Sequence, residues 1–245
     1  MRLILISILL ISSVMFAQSS GTVTYSFNVP FELESITNQD TKDFAKKIID
    51  LANNQEFELS FNKSQSQFIC VEKLNFASEF DQKLNNVAKS GFTSHDVFSN
   101  FEISTQITIM NDGTLVEDQI NKLDWEISSE SKMIGAYLCY KAVLKIPFVN
   151  RYRESKIKEV ISWFAPSLPY SYGPKNFHGL PGLILELNEN NKTSVASKIK
   201  LSDNVAIINF PKGKTISKAE YEKMLESSMG AVILSKKREK ETDKQ

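Results

Sequence analysis

Histidine is the side chain best suited to acid–base chemistry near neutral pH, because its ordinary pKa is about 6.5. The chain has two, His95 and His178. His178 is the better candidate because it adjoins a glycine-rich turn, and a hydrolase would combine it with Glu130 or Glu186. No G-x-S-x-G, H-E-x-x-H, phosphate-loop or dinucleotide pattern accompanies it. A hydrogen-bonded structural role competes with catalysis, and the sequence favours a non-enzymatic protein.

The two cysteines, Cys70 and Cys139, lie in alternating, strand-like segments. In an exported protein an even cysteine count favours a disulfide, and only one pairing is possible here. We therefore predict a Cys70–Cys139 bridge, with two separate buried thiols as the alternative. The histidines lack the spacing of zinc ligands relative to each other or to the cysteines. We expect neither a metal site nor a cofactor.

Proline and glycine are concentrated in the segment YGPKNFHGLPGLILEL, residues 172–187. Leu180-Pro181-Gly182-Leu183 predicts a type II turn, with the positive φ at Gly182. Gly179 would loosen the approach or admit a neighbouring backbone. The residues of this corner that could contact a ligand, or simply fill the corner, are Trp163, Phe164, Tyr170, Tyr172, Phe177, His178, Gly179, Pro181 and Gly182.

The string GLPGLI, residues 179–184, together with WEISSESKMIGAYLCYKA and ISWFAPSLPYSYGPKNFHGLPGLILEL, resembles the GLPGLI family. The resemblance covers about residues 100–190, and the N-terminal third fits only in general layout. It implies an exported protein of the type found mainly in Bacteroidota, with a signal peptide and a β-rich domain. No catalytic residue is implied, because none is established for the family.

The N-terminus predicts export. Arg2 precedes a short apolar run, LILISILLI, and small residues follow, with cleavage expected after Ala17. The run is too short to span a bilayer, which takes about 20 residues. We expect no integral membrane segment after removal of the signal. The balance of 29 basic and 29 acidic residues argues against a nucleic-acid partner.

Alternating apolar residues dominate the rest of the chain and predict β-strands. The longest such run, Met133 to Ile146, reads as one strand, and Asn111-Asp112-Gly113 predicts a hairpin turn. Helices are predicted in TKDFAKKIIDLANN, in SEFDQKLNNVAKSG with a stop at Gly91, and after a capping box at Ser217.

These patterns predict a mainly β (α+β) protein: a single antiparallel sheet, curved or half-barrel-like, with two or three peripheral helices. We predict a signal peptide over residues 1–17, one domain over 18–234 and a charged, disordered tail over 235–245.

The resulting hypothesis is a binding or accessory domain of the cell envelope, periplasmic or extracellular, whose partner is an envelope protein or an apolar ligand. A periplasmic carrier of lipid or acylated peptide in a half-barrel is the alternative. A second, less favoured alternative is a hydrolase that uses His178. Lys132 and Glu130 either pair with residues of the motif loop, for instance as a buried ion pair that fixes the corner, or are solvated charges at the start of a strand.

Overall fold

The computed structural model describes residues 20–30, 33–72, 78–149, 154–225 and 227. The predicted signal peptide and the predicted C-terminal tail lie outside these residues. Among the described residues, no helix combines the length and the apolar character needed to cross a membrane.

Twelve strands form one sheet. They are β1 Ser20–Asn28, β2 Glu56–Phe61, β3 Gln65–Cys70, β4 Asp96–Asn100, β5 Thr105–Ile109, β6 Leu115–Gln119, β7 Glu126–Ile134, β8 Tyr137–Val149, β9 Ser155–Ala165, β10 Leu183–Glu189, β11 Lys192–Ser202 and β12 Thr215–Ser217. Their order is β12-β6-β5-β4-β3-β2-β1-β11-β10-β9-β8-β7. All neighbours are antiparallel except β12 and β6. The predicted mainly β fold is confirmed.

The first strand lies in the middle of this order. β1 pairs with β2 on one side and with β11 on the other, where Ser20 lies opposite Ser202. The strands from β2 to β6 therefore extend the sheet in one direction, and β11 to β7 extend it in the other. The two halves of the chain meet at the β1–β11 pairing.

Two turns test the sequence predictions. The Asn111-Asp112-Gly113 hairpin is confirmed: it joins β5 to β6, and Gly113 has a φ of 83°. The single strand predicted from Met133 to Ile146 is wrong. Gly135, with a φ of 58°, turns the chain between β7 and β8, which then pair with each other. Alternation continues across the turn, so the pattern alone did not reveal it.

The helices lie outside the sheet. Helix α1 is Gln39–Asn53, helix α2 is Glu79–Phe92, and a short 3-10 helix occupies Leu33–Ser35. Residues 218–225 form α3, whose predicted capping box is confirmed by the Ser217 and Glu220 hydrogen bonds. The predicted stop at Gly91 is wrong by one residue, because α2 ends at Phe92 with Thr93 as its cap.

An apolar cluster fills the inside of the curved sheet, and we call it the main core. Its largest members are Tyr25, Phe27, Phe57, Phe61 and Phe68. Cys70 of β3 and Cys139 of β8 both belong to it, although six positions in the strand order separate their strands. The sheet must therefore curve until its two halves face each other.

The predicted Cys70–Cys139 disulfide is not formed. Both residues are buried thiols. Cys70 Sγ donates to Gln55 Oε1 at 3.2 Å, and Cys139 Sγ lies 3.6 Å from the carbonyl oxygen of Tyr137. Burial raises the pKa of the Cys139 thiol to about 11. Each thiol therefore has its own polar contact, and the two sulfur atoms are not bonded to each other.

Candidate functional site

Residues 166–182 connect β9 to β10 and include Gly179 to Gly182 of the GLPGLI string; we call residues 168–182 of this loop the motif corner. Its backbone folds back on the start of β10. Leu183 N donates to Leu168 O at 2.9 Å, and Ile184 N donates to Tyr172 O at 3.0 Å. Gly179 N donates to Ser171 O at 3.1 Å. Hydrogen bonds from both ends of the loop therefore fix its shape.

The two glycines of the motif exchange the roles that the sequence suggested. Gly179 has the positive φ, 87°, and a Cβ there would meet no atom within 4 Å. Gly182 does not have a positive φ, but a Cβ there would lie 2.3 Å from the carbonyl oxygen of Ala165. Gly182 N donates to Leu180 O at 2.8 Å, which makes a three-residue turn around Pro181. The predicted type II turn is wrong.

β10 is buried on both faces. Leu183 and Leu185 contribute to the main core, whereas Ile184 and Leu187 contribute to a second core on the opposite face of β8–β10. This second core also holds Phe164, Phe177 and Leu180. The sequence LILEL is thus a strand covered on two sides, since the motif corner packs over its outer face.

The predicted aromatic residues are divided between the two cores and do not line one groove. Tyr172 stacks on Phe61 of the main core with ring centroids 5.0 Å apart, and the Tyr170 ring packs against Phe61 at a tilt with centroids 4.9 Å apart. The Tyr172 hydroxyl donates to Asn62 O at 2.8 Å, and burial raises its pKa to about 12. Phe164 and Phe177 are buried in the second core.

His178 is held as part of this packing. Its Nδ1 lies 2.9 Å from Asn176 O, and its ring meets the edge of Phe101 at 5.1 Å. Its carbonyl oxygen accepts a hydrogen bond from Trp125 Nε1 at 2.9 Å. In the described part of the chain, the carboxylates considered for a hydrolase bind lysines: Glu186 binds Lys132 and Glu130 binds Lys141. The structure does not bring His178 together with either glutamate.

Lys132 connects the edge strand β7 to the motif. Its Nζ lies 2.7 and 2.8 Å from the two oxygens of Glu186 and 4.4 Å from the centre of the Trp163 ring. A β-bulge between Ile184 and Glu186 places Glu186 opposite Trp163. Lys132 forms an ion pair, as one of its two interpretations predicted, but with Glu186 of β10 rather than with a residue of the motif loop, and Glu130 binds Lys141.

A cavity of about 360 Å³ lies beside Phe177 and was missed at the sequence level. Its walls come from both halves of the sheet: Val97 and Thr108 of β4 and β5 on one side, Ile146 and Lys158 of β8 and β9 on the other. The motif corner contributes Lys175, Asn176 and Phe177. No local pattern signals it, because its residues are distributed over the whole chain.

The charges of this cavity converge on Glu189. Lys158 Nζ lies 2.6 Å from Glu189 Oε1, and Lys175 Nζ contacts Glu189 Oε2. Burial alone would raise the pKa of Glu189, but the two ammonium groups outweigh it and hold the pKa below its usual range. His95 also lines the cavity, and burial lowers its pKa. Within the described residues, no group of three or more His, Cys, Asp or Glu side chains could hold a metal ion.

Residues 150–186 match a family described as "Protein of unknown function (Porph_ging)". No curated protein sequence matches the chain. The solved structure "Structure of PNGF-II in P21 space group" is similar with a TM-score of 0.50 and 16% identity, over 84% of this chain and 33% of that chain. "Structure of PNGF-II in C2 space group" is similar with a TM-score of 0.49 and 17% identity, over 84% of this chain and 32% of that chain.

The identity to these structures is low, so the similarity concerns the fold alone. This chain spans about a third of the length of each of them. The matched family is one of unknown function, and the match is confined to residues 150–186.

Proposed function

We propose that the chain is a GLPGLI family protein and acts as an exported, non-enzymatic binding or accessory domain of the bacterial cell envelope. The matched segment, residues 150–186, contains the whole GLPGLI string, residues 179–184. The N-terminal residues have the composition of a signal peptide with cleavage after Ala17. The mature domain then occupies residues 18–234 and resides in the periplasm or outside the cell.

The observation that carries the non-enzymatic part is the packing of the motif corner. The aromatic residues beside the motif contact two cores, and the ring nitrogen Nδ1 of His178 contacts its own loop at Asn176 O. A catalytic histidine needs a partner within hydrogen-bond reach of the reacting group. The contacts of His178 instead fit a role in shaping the corner.

The same packing gives less support to the carrier alternative. A half-barrel that holds an acyl chain needs an apolar hollow inside the sheet. The inside of this sheet is occupied by the main core, in which Phe57, Phe61 and Phe68 are at most 1% exposed. A ligand is therefore better sought at the edge of the cores than within them.

Fractionation with N-terminal sequencing tests export. We expect the protein from its native host in the envelope fraction with Gln18 as its first residue. Intact Met1 in the cytoplasmic fraction would contradict the proposal.

Complementation of a deletion strain tests the non-enzymatic role. We expect His178→Ala to restore any envelope defect as fully as the wild-type gene. Loss of complementation by a folded His178→Ala protein would favour the hydrolase.

A further inference from the structure

We propose that the cavity beside Phe177 binds a small organic carboxylate with an apolar body. The inference rests on the proposed binding role and gives it a ligand class. The cavity, about 360 Å³, lies at the lower end of the range of ligand sites, which is about 300–1,000 Å³. Three features of its wall point to this ligand: its charge, its apolar surface and the fixed position of its lysines.

The first feature is an excess of positive charge. Lys158 and Lys175 both bind the one carboxylate of Glu189. Their ammonium groups carry three donors each, and the pairing with Glu189 uses one donor of each lysine. His95, the fourth titratable group named here, is favoured in its neutral form by burial, which lowers its pKa. The three charged groups thus leave one positive charge, which a carboxylate would neutralise.

The second feature is the apolar part of the wall. Phe177 and Val97 are 6% and 7% exposed, and Leu123 and Ile146 line the same space. The uncharged polar residues of the lining are Thr93, Ser94, Gln106, Thr108 and Asn176. An inorganic anion would leave this apolar surface without a contact, whereas an aromatic or aliphatic acid would cover it.

The third feature is preorganisation. Lys175 has a φ of 60°, a left-handed conformation that is unfavourable for a lysine. It lies within a turn that the hydrogen bond from Phe177 N to Pro174 O closes at 3.2 Å. Glu189 lies at the end of β10, next to the hairpin turn at Asn190-Asn191. Both turn residues have a positive φ, and the turn places Lys192 of β11 opposite Glu189. The charged groups are thus on ordered backbone before any ligand arrives.

Isothermal titration calorimetry with the purified chain tests the proposal. The probe is 4-phenylbutyrate; 4-phenylbutanol has the same body without the charge, and inorganic phosphate has charge without the body. We expect 4-phenylbutyrate to bind at least about tenfold more tightly than either, since a charged hydrogen bond is worth about 1.5–3 kcal/mol. Equal affinity for the alcohol, or no binding of the carboxylate, would overturn the proposal.

Four variants locate the binding. Lys175→Asn removes the charge but keeps a residue that tolerates positive φ, and Lys158→Gln removes the second ammonium. Each is expected to weaken 4-phenylbutyrate binding about tenfold. Glu189→Gln should strengthen it, because it removes the competing carboxylate. Lys200→Gln, at an exposed position of β11, is the matched control and should change nothing.

Thermal unfolding identifies any variant that fails to fold. If a lysine variant does not fold, the binding measured with Glu189→Gln still decides the test. Unchanged binding by folded Lys175→Asn and Lys158→Gln proteins, or weaker binding by folded Glu189→Gln, would overturn the site. Neither result would affect the localisation or complementation of the wild-type protein, so failure of the ligand is distinguishable from failure of the proposed function.

Discussion

Gly179 and Gly182 differ in what a side chain would meet at each position. At Gly179 the space is open and only the backbone conformation resists substitution. At Gly182 an added Cβ would lie within 3 Å of three backbone atoms: the carbonyl oxygen and carbon of Ala165 and the nitrogen of Pro166. Backbone atoms of a paired strand cannot move aside as a flexible side chain can. The motif needs its second glycine for close packing and its first for conformation.

Alanine at these two positions should therefore have unequal effects. We expect Gly182→Ala to lower the free energy of unfolding by about 3 kcal/mol or more, the upper end of overpacking costs. Gly179→Ala should cost about 1–2 kcal/mol. Urea denaturation measures both. Gly91→Ala, in α2 with nothing within 4 Å, is the control and should be neutral or slightly stabilising. A larger loss at Gly179 than at Gly182 would show that the assignment is reversed.

The sequence could identify this corner but not assign its parts. Proline and glycine density marked the turn, because these residues have distinct backbone preferences. The neighbour that makes Gly182 necessary, Ala165, is distant along the chain and has no special residue type. The cavity was missed for the same reason, since Lys158, Lys175 and Glu189 meet only after β9 and β10 pair.

At the level of elements, the Lys132–Glu186 pair joins the edge strand β7 to β10 across the two strands between them. The side chains of Lys132 and Glu186 are 37% and 20% exposed, so solvent screens the pair only in part. The ring of Trp163 beneath the ammonium adds a cation–π contact. This pair should contribute more than an exposed one.

A double-mutant cycle with Lys132→Met and Glu186→Gln measures that contribution. We expect a coupling free energy of about 1 kcal/mol, decreasing in high salt. The control is the i,i+4 pair Glu79–Lys83, whose side chains are 80% and 71% exposed. Its coupling should be about 0.3–0.5 kcal/mol or less. Equal coupling in the two cycles would mean that the partial burial and Trp163 add nothing.

Strand alternation identified most elements because most strands bury more of one face than of the other. It does not reveal a tight turn that preserves the alternation. The turn at Gly135 keeps the alternating pattern on both sides, so β7 and β8 read as one strand. The predicted Cys70–Cys139 bridge rested on cysteine count and export, which do not specify where the strands place the two sulfurs.

For the whole molecule, acid should weaken the fold partly through Glu189. Its pKa is lowered in the folded state because Lys158 and Lys175 outweigh the effect of burial, and Lys192 lies opposite. A carboxyl group of this kind stabilises the folded state above its ordinary pKa of about 4.5 and loses that contribution as the pH falls through the folded value.

We therefore expect the urea midpoint of the wild-type protein to fall between pH 6 and pH 3, and the fall to be smaller in Glu189→Gln. Parallel curves for wild type and Glu189→Gln would show that the lysines do not lower this pKa.

The central position of β1 has a consequence for how the chain folds. Ser20 cannot meet Ser202 until most of the polypeptide has been made, and closing so long a loop is entropically costly and slow. Until then, one edge of β1 has unpaired amide and carbonyl groups, which invite association with other nascent chains. Until β11 pairs with β1, a chaperone that covers this edge would keep nascent chains apart.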